Sequence, residues 1–223
     1  MSKVVHPYSH RLVTLRDWKS RWFADKKYKS LLASDITIRE FLAKKLRGFY
    51  VSKVEIERNA KSTRVAIHTS RPGMIIGRSG EGINKLKNEL VSALLKKKIN
   101  VPEDFKLDIV EVINPDADAA IVACSIAEGL EKRLPYRRVM KQAIEKIMSA
   151  RGVKGARIYI GGRLAGAEIS RSEQIKRGSI PLQTVRADVD FAREKAHMSY
   201  GDLGIKVWIY RGEVFVEKNN FKK

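Results

Sequence analysis

One cysteine, Cys124, is all that this chain of 223 residues contains, so it can close no disulfide within itself, and a reducing compartment, the cytoplasm, is the expectation. Cys124 ends the apolar run Ala119-Ala120-Ile121-Val122-Ala123 with no His or Asp pattern around it, and it reads as a small core residue, not a nucleophile. Nowhere does an apolar run approach the roughly 18 residues that a bilayer-spanning helix needs. The polar, basic first residues also lack the apolar stretch of a secretory signal, which predicts a soluble protein with no membrane partner. Histidines number four; His6 and His10 lack a Cys or His pair at zinc-finger spacing and His68 and His197 are isolated, so no metal is expected. The phosphate-cradling Gly-x-x-x-x-Gly-Lys-Ser/Thr loop is missing too, which removes a nucleotide-driven motor. Carboxylates such as Glu111, Asp116 and Asp118 fall at a linker and a helix start, where capping is their ordinary use. No catalytic constellation is left, and the chain reads as a non-enzyme without cofactor or small-molecule substrate.

Negative charge is scarce as well. Against 25 Asp and Glu stand 45 Lys and Arg, a formal charge of +20, and such an excess calls for a polyanionic partner. Each phosphate neutralised by a cation releases condensed counterions, so nucleic acid is favoured and binding should weaken steeply with salt. A hydrophobic content of 43% excludes a merely disordered basic tail and suits two domains.

The chain divides by pattern. Residues 1–34 form a basic, aromatic arm or helix in which Trp18, Trp22 and Phe23 stand among Arg16, Lys19, Arg21, Lys26, Lys27 and Lys29; they suit base stacking or ordinary helix packing. Residues 35–114 follow. Ser34 predicts a cap for a helix carrying Ile36, Ile38, Phe41, Leu42 and Leu46 up to Gly48. Alternation predicts strands over Val51–Arg58 and Thr63–His68 about the turn Asn59-Ala60-Lys61-Ser62. A short helix, Pro72 to Ile76, leads through Gly77-Arg78-Ser79-Gly80 into a longer one with Leu86, Leu90 and Leu94 inside and Lys85, Lys87, Lys96, Lys97 and Lys98 outside, then a strand, Leu107 to Val112. Asn114-Pro115-Asp116 breaks the pattern and opens a second α+β domain over 115–216: two helices separated by Pro135, then four strands near Ala156–Ile160, Ala167–Ser172, Thr184–Phe191 and Ile205–Tyr210 in a mainly antiparallel sheet. Residues 217–223 read as a frayed tail.

Gly-x-x-Gly occurs three times, and a chain with 15 glycines yields such a match easily by chance. Gly152-Val153-Lys154-Gly155 and Gly201-Asp202-Leu203-Gly204 read as a helix stop and as a turn before a strand. Gly77-Arg78-Ser79-Gly80 differs because it joins two helices behind paired strands. That context resembles a KH domain of the helix-first, type II order, α-β-β-α-α-β. In such a loop glycines admit a nucleic-acid backbone, amides at the following helix start face phosphates, Arg78 adds charge and Ser79 a hydroxyl. A turn with a solvated Arg78 is the plain alternative.

Arg137, Arg138 and Lys141 stand at the start of the helix after Pro135, outside the stripe Val139, Met140, Ala143, Ile144 and Ile147. A helix macrodipole disfavours cations there, which suggests an external anion, although a solvated basic face is common in so cationic a chain. Arg163, Arg171, Lys176, Arg177 and Arg186 lie on or between the last strands, where they suit RNA phosphates; Trp22 joins them as a candidate RNA contact.

Four strings taken in order, Asp17-Trp18-Lys19-Ser20-Arg21-Trp22-Phe23-Ala24-Asp25, Ile75-Ile76-Gly77-Arg78-Ser79-Gly80, Gly161-Gly162-Arg163-Leu164-Ala165-Gly166-Ala167-Glu168-Ile169 and Gly204-Ile205-Lys206-Val207-Trp208-Ile209, resemble the bacterial ribosomal protein S-three family over nearly the whole chain. The resemblance implies assembly into the small-subunit head, contact with its ribosomal RNA and with head proteins ten and fourteen, and a place where messenger RNA enters. Family residues tied to passive messenger unwinding match Tyr136-Arg137-Arg138-Val139-Met140-Lys141, which carries that role to Arg137, Arg138 and Lys141. His6-Pro7-Tyr8-Ser9-His10 departs from the family's more Gly-containing stretch, which puts arm contacts there in doubt. A free-standing KH RNA chaperone would share the first domain, and the second speaks against it; a DNA regulator lacks a helix-turn-helix.

Overall fold

Short hydrophobic alternations become strands, and longer 3.6-residue periods become the helices that cover them. A computed structural model describes residues 5–59, 62–97, 99 and 104–215; the expected tail, the turn residues Ala60 and Lys61, and Lys98 lie outside the described residues. In chain order the elements are α1 (Pro7–His10), β1 (Ser20–Arg21), α2 (Tyr28–Lys45), β2 (Val51–Arg58), β3 (Ser62–Thr69), α3 (Pro72–Ile76), α4 (Glu81–Lys96), β4 (Asp104–Glu111), α5 (Ala119–Glu131), α6 (Tyr136–Ser149), β5 (Gly155–Gly162), β6 (Arg171–Gly178), β7 (Ala187–Met198) and β8 (Gly201–Glu213). The architecture is α+β with two four-stranded sheets.

Two compact units result. One comprises Trp18–Ile113; the other is discontinuous, joining Met1–Asp17 to Asn114–Lys223. The expected arm over 1–34 is therefore shared: its first half packs with the C-terminal unit and its second with the KH-like unit.

In the unit Trp18–Ile113 the sheet order is β1-β2-β3-β4, with β2 and β3 antiparallel and the outer pairs parallel. Ile38 and Leu42 of α2 and Leu86, Leu90 and Leu94 of α4 bury their stripes on Ile56, Val65 and Ile67. Full burial of one such side chain contributes about 1.5 to 3 kcal/mol. Ser34 is no cap: α2 begins at Tyr28, two turns earlier. Ser34 and Asp35 are buried inside the helix because both serve Arg58, whose Nε and Nη2 donate to Asp35 Oδ1 at 2.8 and 2.6 Å and whose Nη2 also donates to Ser34 Oγ at 2.8 Å. Removing either charge of such a pair typically costs about 3 to 5 kcal/mol, because the other stays buried and unpaired.

In the C-terminal unit the sheet order is β6-β5-β8-β7, antiparallel throughout. Its inner face, with Ile158, Ile160, Ile205, Val207 and Ile209, packs on Ile126 and Leu130 of α5 and Met140, Ile144 and Ile147 of α6. Cys124 on α5 is half-buried. The second strand lies several residues beyond the expected Ala167–Ser172. Leu164 is buried at a tight turn, Ile169 is 78% exposed, and the pairing strand is the polar edge β6, where Ile175 is packed against the core. Gly201 to Gly204 open β8 and do not precede it. Arg11 anchors the chain's first turn from a fully buried position, donating to the carbonyls of Pro7, Pro181, Leu182, Thr184 and Ala187 at 2.5 to 3.2 Å. Burial pulls its guanidinium below its ordinary pKa, against the opposing pull of Asp188.

Candidate nucleic-acid interface

The Gly77–Gly80 loop is shaped by close backbone approach. Gly77 and Gly80 adopt φ of +70° and +80°, a region that other residues enter at a cost of about 1 to 2 kcal/mol. Gly82, one residue inside α4, abuts the carbonyl oxygens of Ile75 and Ile76; an added Cβ would clash with the first and sit 2.8 Å from the second. Gly82 thus holds α3 against the start of α4, a role that the Gly77-to-Gly80 spacing does not reveal. Arg78 is exposed, and Gly80 at the head of α4 supplies no side-chain cap. The amide of Glu81 donates to the Arg78 carbonyl, and the cap position provides no side-chain acceptor for the amides that follow it. Glu81 in that same turn offers the macrodipole a local negative charge, which an incoming phosphate must meet.

The helix α6 begins differently. Pro135 precedes it and provides no side-chain cap, its carbonyl accepts the amides of Arg138 and Val139 at 3.0 and 3.1 Å, and the first turn contains no acid. Val139, Met140, Ile144 and Ile147 are buried, which turns Arg137, Arg138 and Lys141 outward. Arg137, with its side chain 73% exposed, donates to Glu173 Oε1 at 3.1 Å, and the Tyr136 hydroxyl donates to the same oxygen at 2.7 Å. Hydrogen bonds from Arg137 and Tyr136 hold the Glu173 carboxyl below its ordinary pKa, and the Glu173 bond raises that of Arg137. Arg138 and Lys141 have no hydrogen-bond or ion-pair partner among the described residues. Arg138 and Lys141 are three residues apart, and Arg137 and Lys141 four, so the three form one cationic patch.

The remaining candidates do not form a single surface. Arg171 and Lys176 stand exposed on β6. Arg177, on the same strand, lies 3.8 Å from Glu145. Arg186 pairs with Glu213 at 2.7 Å, its guanidinium 5.5 Å from the ring centre of Phe215. Arg163 turns inward, donating to the carbonyls of Ala167 and Tyr200 at 2.9 and 3.2 Å, and two of its donors are thereby engaged in the fold. Trp22 donates from Nε1 to Asp35 Oδ2 at 2.8 Å and packs on Tyr28 at 5.2 Å, so it is tied to the Arg58 cluster; beside it Phe23 is 88% exposed. Residues the motifs pass over are Arg157, Arg193, Lys195 and Lys206, outward on the C-terminal sheet. Their signal is alternation: Arg193-x-Lys195 and Lys206-x-Trp208 place cation and cation, or cation and aromatic, on one face.

A glycine-shaped helix–loop–helix on a four-stranded sheet, and a sheet-backed helix with a bare cationic start, define a KH-containing RNA-binding protein. Comparisons agree: a KH domain model matches residues 37–117, and a model described as "Ribosomal protein S3, C-terminal domain" matches residues 126–209. The chain is 45% identical to small ribosomal subunit protein uS3 of Enterococcus faecalis over 223 residues, covering 100% of this chain and 99% of that protein. It is 46% identical to uS3 of Staphylococcus aureus strain COL over 219 residues, covering 98% and 97%. The chain belongs to the uS3 family of small ribosomal subunit proteins. It is a ribosomal, RNA-binding, structural protein and not an enzyme. Among the described residues no helix is long and apolar enough to cross a membrane.

Proposed function

We propose that the chain is built into the head of the small subunit, holds its ribosomal RNA, and meets messenger RNA where messenger enters, with Arg137, Arg138 and Lys141 as the grip. The carrying observation is the start of α6: three outward cations, no acid in the first turn, and two of the cations without a partner. Charges set so against the macrodipole gain most when an external phosphate offsets them. The grip opens a hairpin passively; ribosome movement supplies the work while the cations hold separated strands.

The Gly77-Arg78-Ser79-Gly80 loop is a second phosphate contact in this reading; Arg171, Lys176, Arg177 and Arg186 are further contacts to ribosomal RNA from separate positions, and Trp22 and Arg163 add only what their bonds within the fold leave free. Neighbouring head proteins, family proteins ten and fourteen, complete the surroundings. RNA crosslinked to the protein in intact cells tests the reading. Wild type should yield mainly small-subunit ribosomal RNA, and a variant with Arg137, Arg138 and Lys141 changed to Ala should lose messenger crosslinks selectively. Undiminished messenger crosslinking, together with unchanged translation through a stable hairpin, would sink the grip.

A further inference from the structure

The C-terminal sheet has two faces. The inner one is closed by α5 and α6. On the outer one, Ala187, Val189, Trp208 and Tyr210 form a small cluster with Ile180, Leu182 and Phe191, and the ring of His6 meets Phe191 edge-on at 4.7 Å. Past that cluster the face is open. Register pairs Tyr159 with Lys206 and Lys206 with Arg193, and pairs Gly204 with Lys195 and with Gly161. A shallow depression of about 510 Å³ forms there, edged by Arg171, Arg193, Lys195 and Lys206.

A glycine beneath an aromatic ring keeps its floor flat. The ring of Tyr159 lies across Gly161, where a Cβ would meet Cε1 and the hydroxyl at 3.2 Å each, and the Lys206 ammonium stands 5.5 Å from the ring centre. None of the four cations has an ion-pair partner among the described residues. Glu194 also borders the depression, but its Oε1 accepts from the amide of Lys195 at 3.3 Å.

We propose that this open face is a second RNA-binding surface, seating phosphates of folded ribosomal RNA on Arg193, Lys195 and Lys206 around the Tyr159 ring, with Arg171 at its rim. Unpaired cations at neighbouring register positions match a run of backbone phosphates, and a glycine-flattened floor lets the strand approach the sheet. This surface lies on the side of the sheet opposite α6, so one domain can hold ribosomal RNA on one face while the other stays open to messenger. The proposal rests on the ribosomal reading above and adds the place of contact.

The full-length chain, purified small-subunit ribosomal RNA and a variant with R193Q, K195Q and K206Q test it. Each lost phosphate contact should lower the slope of log affinity against log salt by about 0.9, so the variant slope should be shallower by about 2 to 3. Affinity at physiological salt should fall on the order of tenfold or more. Circular dichroism and the thermal midpoint report whether the variant folds. Acylation of Lys195 and Lys206 in the unaltered chain, read by mass spectrometry, gives an answer that needs no variant: RNA should protect both. Wild-type binding that the variant keeps in full, slope included, overturns the proposal. So does protection that appears only in assembled subunits and never with RNA alone, since a protein would then own the face. Should the wild-type chain itself show no preference for small-subunit RNA, the ribosomal reading fails first and takes this one with it.

Discussion

Helices α5 and α6 follow one another, cover one sheet face, and start in opposite ways. At α5 Asp118 accepts the amides of Ala120 and Ile121 at 2.9 and 3.2 Å, and Asp190 from β7 accepts that of Ala119 at 3.0 Å. Every partner needed at that start lies within the domain. At α6 no side chain caps the first turn and cations gather there. The first start is solved for folding and the second is left for something outside. The start of α4 is a third case, without a side-chain cap like α6 yet shaped by glycine and carrying Glu81, so backbone shape marks it where side-chain cations mark α6.

The contrast can be broken by substitution. Gly82→Val should have the largest effect, because its side chain must displace the Ile75 and Ile76 carbonyls; we expect about 3 kcal/mol lost in urea unfolding, the upper part of the overpacking range. Changing Arg137, Arg138 and Lys141 together to Ala should leave the thermal midpoint unchanged or slightly raised, since the macrodipole repels these cations. Its binding to a single-stranded RNA should lose about 0.7 of salt slope per contact removed. A drop in the midpoint with unaltered RNA binding would make that patch a folding device and erase the contrast. Asp118→Ala should lower stability by about 1 kcal/mol through loss of a cap, with RNA affinity untouched. The smallest effect concerns Glu173. Its carboxyl titration, followed by NMR, should fall below the ordinary 4.5 and return towards it in Arg137→Ala. The sign follows from the depressed pKa: the Glu173 contribution is complete above its unfolded-state value and is lost as pH falls through the folded one.

Strongly periodic segments were open to reading. The strand Val51–Arg58 and the helix Pro72–Ile76 stand where alternation and the Pro-to-Gly punctuation put them. The α6 stripe turns its cations outward as the spacing demands. Misreadings share one cause, a partner far along the chain. Ser34-Asp35 looks like a cap because local pattern holds no trace of Arg58, 23 residues past Asp35. Strand β6 hides because an edge strand can be mostly polar, as this one is. Arg163 resembles any other arginine until the carbonyls of Ala167 and Tyr200 draw it in. Side-chain direction on strands was available in the alternation of Arg193, Lys195 and Lys206, but only once the strands and their registers were known.

Arg11 sets an order of events. Four of its five carbonyl acceptors lie between Pro181 and Ala187, the farthest 176 residues downstream. At about 5 to 20 residues per second during synthesis, the gap lasts roughly 10 to 35 seconds. The intervening unit, Trp18–Ile113, is synthesised within that gap. The turn around Arg11 must stay unclaimed meanwhile, so the last domain closes like a clasp around a beginning made long before, and a nascent chain cut short of Pro181 would present that beginning still open.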